Sequence, residues 1–331
     1  MESFRWHDGD RVVRFGPGAL ADVPELVGDD YVLLTTPRAG DAAPAVVAAA
    51  RERHDVPGGR VDDVAATLLE RLAGDEDALL VALGGGRVID VAKALVGAGA
   101  GRAVAAIPTT LSAAEMTGTY RPIAGRGFRR VRPVVVLNEP SVSASQPERG
   151  LAASAANALA HAIEGAMTIG ASPVPILAGQ EAARLIVSAW DDGGGAAPDR
   201  DALALGALLS GYVIDAASFG LHHVAAQTLV REGGVGHGPA NAVLLPHTVE
   251  LLRRRRPERM AAFDAVLGTD PAGAARDLAR RARAERIRDL GVPRDHLEVI
   301  AAAAAAREGA LAATPPPAGE AELLALYTAA W

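Results

Sequence analysis

Apolar residues fall in short runs along roughly the first 140 positions, and with helical spacing beyond them. The runs at 11–15, 31–35, 78–83, 103–107 and 133–137 have the length and β-rich character of strands. Between them the spacing predicts helices over 20–27, 42–53, 61–72 and 88–96. Strands that alternate with helices predict βαβ units and a parallel sheet. After Asn138-Glu139-Pro140 the strand signals stop. Helices are predicted over 147–169, 173–190, 199–217, 219–231, 240–254, 257–267, 271–290, 294–311 and 319–330, with breaks at Gly193-Gly194-Gly195 and Pro315-Pro316-Pro317. The expected organisation is an α/β domain over 1–142 followed by an all-helical domain over 143–331.

Composition narrows the function. A chain of 331 residues exceeds what one hydrophobic core usually holds, which agrees with two domains. Half the residues are hydrophobic but only 4% are aromatic, so small side chains must let the helices pack closely. A net charge of −7 gives no basic footprint for nucleic acid, and a small-molecule substrate is expected instead. The one basic run, Arg253 to Arg256, suits the C-terminal end of a helix. The absence of cysteine excludes disulfides, thiolate metal sites and thiol nucleophiles, in keeping with a cytoplasmic enzyme. No apolar signal core opens the chain. The most apolar helical stretch, 151–167, carries Asn157, His161 and Glu164, so no membrane span is expected.

Two groups of residues carry candidate chemistry. Gly84-Gly85-Gly86 follows a predicted strand and opens a helix holding Asp90 and Lys93. Glycines there let an anion approach backbone N–H groups at the positive helix end, although a tight strand-to-helix turn also favours glycine. Pro108-Thr109-Thr110-Leu111-Ser112 sets hydroxyls at a second strand end, where an ordinary helix cap is the simpler alternative. Together they favour a dinucleotide. The other group is histidine-rich: four of the eight histidines lie between Gly220 and His247. His223 and Gln227 are four apart, as are Asn157 and His161, so each pair shares a helix face. His237 follows the Gly233-Gly234 break. Any one of these imidazoles can also be a buried, hydrogen-bonded core residue.

The segments LGGGRVIDVAKA, IPTTLSAAEMT, NALAHAIEG, GLHH and GHGPANAVLLPH, in that order, resemble the iron-containing alcohol dehydrogenase superfamily, most of all its maleylacetate reductase branch. The resemblance spans roughly 11–290. It implies a dehydroquinate synthase-like architecture: an α/β nucleotide-binding domain, an all-α domain, and an active site in the cleft between them. The family's pyrophosphate loop falls on Gly84, Gly85 and Gly86, with Asp90 and Lys93 in its helix, and its second nucleotide stretch on Thr109, Thr110 and Ser112. Its metal ligands, an aspartate and three histidines, fall on Asn157, His161, His223 and His237. Arg87 stands where serine is usual, and Gln227 where a histidine is usual near the nicotinamide. His222 and His247 match histidines that are not ligands and are read as structural.

These departures shape the expectation. A divalent zinc or iron site would lose its only negative ligand at Asn157, so metal is expected to be weak or absent. The strand end Thr35-Thr36-Pro37-Arg38 offers no carboxylate until Asp41, which permits NADPH as well as NADH, with Thr36 and Arg38 beside the nucleotide. The expected activity is hydride transfer from NAD(P)H to a small unsaturated keto acid, such as maleylacetate, or to a carbonyl compound. His161, His223 and His237 would polarise or protonate substrate oxygen, with Asn157 orienting them, in a homodimer. Two alternatives stay open. One is a repurposed or catalytically silent member that binds nucleotide or metal. The other is a dehydroquinate synthase-type lyase, which would need a phosphate cluster such as Arg121, Arg129 and Arg130.

Overall fold

A computed structural model describes residues 2–72, 74–190 and 197–331. The chain separates into two compact units, one ending at Ser145 and one beginning at Gln146. The predicted break at Gly193-Gly194-Gly195 lies outside the described residues.

The first unit contains the strands β1 (Phe4–Asp8), β2 (Arg11–Phe15), β3 (Tyr31–Thr35), β4 (Glu52–Asp55), β5 (Leu79–Gly84), β6 (Ala103–Pro108) and β7 (Val135–Asn138). Its helices are α1 (Val23–Leu26), α2 (Pro37–Ala42), α3 (Pro44–Ala49), α4 (Val61–Arg71), α5 (Gly86–Gly97) and α6 (Pro140–Ser143). The strands form one sheet in the order β1-β2-β7-β6-β5-β3-β4. Every pairing is parallel except the β1-β2 hairpin at the edge.

Period-two alternation divides the strand residues between two cores. Val32, Leu34, Leu80, Ala82, Val104 and Ala106 pack on one face with α4 and α5, while Leu33, Val81, Leu83, Ala105 and Leu137 pack on the other. Burial on both faces is why these strands read as continuous apolar runs. From β3 the chain moves outward to β4, then returns to place β5 on the other side of β3. That reversal makes the β3/β5 boundary a topological switch point, and open α/β sheets bind ligands outside the carboxyl ends of such strands. Thr36 follows β3 and Gly85 follows β5.

Two strands differ from expectation. The 42–53 segment is not one helix: α3 stops at Ala49, and Glu-Arg-His-Asp forms β4 by pairing with β3. An edge strand with charged, mostly exposed side chains has no apolar alternation to announce it. β1 was likewise unmarked, and is recruited by its hairpin with β2 and by Phe4 stacking on Phe15 at 5.2 Å.

The second unit is helical: α7 (Glu148–Met167), α8 (Pro173–Ser188), α9 (Arg200–Ala217), α10 (Leu221–Gly233), α11 (His237–Arg255), α12 (Pro257–Leu267), α13 (Pro271–Arg281), α14 (Leu297–Ala305), α15 (Glu308–Leu311) and α16 (Glu320–Ala330). Among the described residues no single helix is long and apolar enough to cross a membrane. The predicted 271–290 helix stops at Arg281, ahead of Arg283 at φ 52°. The predicted 294–311 helix is broken between α14 and α15, which sets Arg307 at a corner. Helix α7 is buried almost throughout, and its alanines let α8, α9, α11 and α13 pack around it.

Candidate active site

In the first unit, α5 begins at Gly86 with Gly85 as an N-cap that has no side-chain cap, so its first N–H groups are left for an anion. A Cβ on Gly85 would lie 3.0 Å from Thr110 Cγ2 and 3.1 Å from its Oγ1; one on Gly86 would lie 3.0 Å from Ser112 Cβ. The glycine loop and the strand end Thr109–Ser112 therefore press together, so that Thr110 and Ser112 pack directly on the loop. This cradle exists only because both glycines lack a side chain.

The remaining nucleotide residues divide. Thr36 caps α2 by accepting from Ala39 N, and Arg38 is exposed, its Nη2 3.4 Å from the Ser145 carbonyl. Lys93 is different from a ligand-facing cation. Its ammonium is 0% exposed and donates to Asp90 Oδ1, Thr117 Oγ1 and the Thr119 carbonyl. Lys93 and Asp90 thus hold the 117–119 loop against α5, and any effect of Lys93 on a nucleotide passes through that loop. Of the arginines a lyase would need, Arg121 lies 3.7 Å from Asp62 and Arg129 donates to the Val96 carbonyl.

In the second unit, Asn157, His161 and Glu164 lie at i, i+4 and i+7 on α7, along one face. Helix α10 delivers His222 and His223 to that face through its N-terminus. Its N-cap, Gly220, offers no side-chain cap because Thr314 stands where a side chain would be: a Cβ on Gly220 would lie 2.5 Å from Thr314 Oγ1. Thr314 instead accepts from Leu221 N, and the buried Glu164 accepts from His222 N and His223 N. A carboxylate from one helix so caps the positive end of another.

Glu164 also accepts a hydrogen bond from His223 Nδ1 at 2.6 Å. This fixes the tautomer and leaves His223 Nε2 as a bare lone pair. Burial pushes the Glu164 carboxyl upward, opposed by the N–H donors around it, while burial lowers His223 to about 3, aided by the charges of His237 and Arg307. The His161 ring stacks on His223 at 4.5 Å with 9° between planes, and burial depresses its pKa well below the ordinary value. Both rings are neutral near pH 7.

His222 is a structural residue. Its Nε2 lies 3.0 Å from Asn241 Oδ1, which only accepts, so Nε2 carries the proton and Nδ1 takes a hydrogen bond from the Thr248 hydroxyl. Burial lowers it to about 3 as well. The first residue of α11 is His237, which is exposed; its charge is felt at His161 and His223.

Among the described residues, Asn157 Oδ1 and His161 Nδ1 on α7 and His223 Nε2 on α10 are buried without a hydrogen-bond partner. Leaving a buried polar atom unpaired costs about 1–3 kcal/mol, so unpaired atoms on the stacked His161 and His223 rings, with a third on Asn157 one turn away on α7, mark a place for a ligand. The structure brings His161 and His223 together as stacked rings from two helices, with Asn157 one turn before His161 on α7; the sequence reading did not single out Glu164, whose spacing from His161 was a usable signal. It also missed Arg307, which is 80 residues from its partner Gln227.

Residues 151–331 match the C-terminal part of the Fe-containing alcohol dehydrogenase family. The chain belongs to the iron-containing alcohol dehydrogenase family. It is an oxidoreductase of that family. Maleylacetate reductase 2 of Cupriavidus pinatubonensis is 32% identical over 80% of this chain and 78% of its own. Maleylacetate reductase of Sphingobium indicum is 31% identical over 89% and 88%. The crystal structure of maleylacetate reductase from Agrobacterium tumefaciens superposes with a TM-score of 0.85 at 26% identity, covering 100% of this chain and 98% of that one.

The two groups that the family implies fit differently. The Gly85–Gly86 cradle, with its uncapped helix N-terminus, fits the pyrophosphate of a dinucleotide. The donor set for a metal does not fit. It has no carboxylate, since Asn157 supplies an amide and Glu164 is committed to three N–H donors. The His161 and His223 rings stack nearly parallel, so their lone pairs are not aimed at one common point. Among the described residues, no three histidine, aspartate or glutamate side chains are grouped so as to hold a metal ion.

Proposed function

We propose that this oxidoreductase is an NAD(P)H-dependent reductase of a small unsaturated keto acid of the maleylacetate kind, or of a related carbonyl compound, and that its acid–base groups work without a metal. The observation that carries the reading is the trio of unpaired buried atoms, Asn157 Oδ1, His161 Nδ1 and His223 Nε2, beside neutral imidazoles. The names of the relatives support the substrate class.

The nucleotide would be held by the Gly84–Gly86 turn, the first N–H groups of α5, and Thr109, Thr110 and Ser112, with Thr36 and Arg38 beyond the end of β3. When bound, it supplies the hydride, which is cofactor chemistry. The protein contributes orientation and proton handling. Because Glu164 keeps the proton of His223 on Nδ1, Nε2 is an acceptor and orients a hydroxyl or a water. Proton donation to substrate oxygen falls to the N–H of neutral His161 and to His237 at the exposed start of α11. Asn157 completes the polar face and fixes the substrate's orientation. A neutral donor in a buried site polarises a carbonyl without fully protonating it, which suits an enolate that forms as hydride arrives.

The test is oxidation of NADPH and NADH by the purified chain across aldehydes, ketones and unsaturated keto acids. Turnover highest with the keto acids is expected. Absence of turnover with every member of the panel, from protein that binds the nucleotide, would defeat the reading.

A further inference from the structure

Arg307 carries a charge that no carboxylate among the described residues answers. From its corner before α15, its guanidinium reaches α10, donating from Nη2 to Gln227 Oε1 at 2.8 Å and from Nη1 to the Val224 carbonyl at 3.3 Å. Both partners are neutral. Among the described residues no carboxylate makes an ion pair with Arg307, although burial is deep enough to push its pKa down. A partly buried guanidinium without a counter-ion is an expensive arrangement for a fold to keep with no ligand to use it.

Gln227 gives its acceptor oxygen to Arg307, and among the described residues its amide N–H groups make no hydrogen bond. Arg307 has five N–H groups and commits two of them. Arg231, one turn further along α10, adds a second positive charge, and it depresses Arg307 electrostatically. His223, Gln227 and Arg231 are i, i+4 and i+8 on α10, so they form one row along one helix face. The row begins at the unpaired Nε2 of His223 and ends in guanidinium charge.

We propose that Arg307, held by Gln227, is the residue that selects acids: it receives a carboxylate of the substrate about one helical turn, roughly 5–6 Å, from His223. The preferred substrate is therefore a small anion whose carboxylate and reacting oxygen are separated by that distance, and an uncharged carbonyl compound lacks this hold. Guanidinium is suited to the task because its planar fork matches a carboxylate with two parallel hydrogen bonds. Gln227 is the positioning residue, since an amide oxygen fixes the guanidinium without neutralising it. The inference rests on the reductase reading for the reaction, and on the arrangement of α10 and Arg307 for the charge.

Calorimetric titration tests it without turnover, using maleate as the anionic probe and dimethyl maleate as its uncharged match, each with and without NADP+. The chain has no cysteine for the ester to alkylate. Wild-type protein should bind maleate, Arg307→Gln should bind it at least tenfold more weakly, and both should bind the ester alike. Gln227→Glu should also lose maleate at least tenfold, because the new carboxylate occupies Arg307 while keeping it folded in place. Failure of the wild type to bind maleate, maleate binding unchanged in either variant, or equal loss of acid and ester, would overturn the proposal. Retained maleate binding with no NAD(P)H oxidation on any substrate would instead defeat the reductase reading and leave the acid site standing.

Discussion

Glu164 accepts a hydrogen bond from His223 Nδ1 at 2.6 Å while it accepts the backbone N–H groups of His222 and His223. One buried carboxylate therefore sets both the tautomer of an active-site imidazole and the start of the helix that carries it. Glu164→Gln puts an amide, with one acceptor oxygen and two donor hydrogens, in front of three donors. The expected result is a loss of about 2–4 kcal/mol in urea denaturation, in the range for breaking a buried charged network. kcat should fall at least tenfold while the affinity for NADPH is unchanged. A variant with wild-type kcat would show that the tautomer of His223 is irrelevant to turnover.

Gly85→Val should abolish nucleotide binding, because a side chain there enters the space that the cradle leaves for the pyrophosphate. The contact with Thr110 adds a second effect: a Cβ at 3.0 Å from Thr110 Cγ2 forces the loop and the β6 strand end apart. A stability loss of about 1–3 kcal/mol is expected from such overpacking. Titration with NADPH, on protein whose circular dichroism matches wild type, is the measurement; unchanged affinity would show that the nucleotide is not held at this turn.

Arg38 is exposed just past the end of β3, and no carboxylate stands beside it in the sequence before Asp41. NADPH should therefore be accepted at least as well as NADH. Arg38→Ala should raise the KM for NADPH several-fold and leave that for NADH alone. A strong preference for NADH in the wild type would contradict this.

Asn157 supplies an amide where a carboxylate would help bind a cation. Activity should survive dialysis against a chelator, and the purified protein should contain substoichiometric zinc and iron. Asn157→Asp should raise metal affinity, since it returns a negative charge to the face of α7 that carries His161. Stoichiometric metal in the wild type, with activity lost on its removal and restored on its return, would sink the metal-free mechanism.

Glu115 is fully buried after β6, its Oε2 without a hydrogen-bond partner among the described residues, and burial pushes its carboxyl up to about 7, against the pull of Lys93 and Arg11. The folded state thus holds a proton that the unfolded chain releases near 4.5. The stability this proton contributes is complete below pH 4.5 and is lost as pH rises through 7, to a limit of about 3 kcal/mol. Glu115→Gln keeps the shape without the ionisation. Its stability relative to wild type should rise between pH 5 and pH 8, as read by urea denaturation at several pH values. A difference that does not change with pH would place the ionisation of Glu115 outside this range.

Local pattern was sufficient where one segment carries its own information. The runs at 31–35, 78–83 and 103–107 are strands because they are buried on both faces, and the Gly84–Gly86 turn is legible because a strand end that opens a helix needs small residues. The i, i+4 spacing put Asn157 beside His161, and His223 beside Gln227, before any fold was known. What tertiary structure decided is whatever depends on pairing across the chain. β4 exists because β3 offers an edge, and no property of Glu-Arg-His-Asp alone selects a strand over a helix end. Lys93 looks like a cation for phosphate in the sequence, and only the 117–119 loop folded over α5 shows its ammonium already bonded. The protonation of His223 is set by Glu164 from another helix, and the orientation of Gln227 by Arg307 from 80 residues away. Spacing along a helix reports which side chains share a face; hydrogen bonds and burial between helices determine which of those side chains carry a proton, a charge or an unpaired atom.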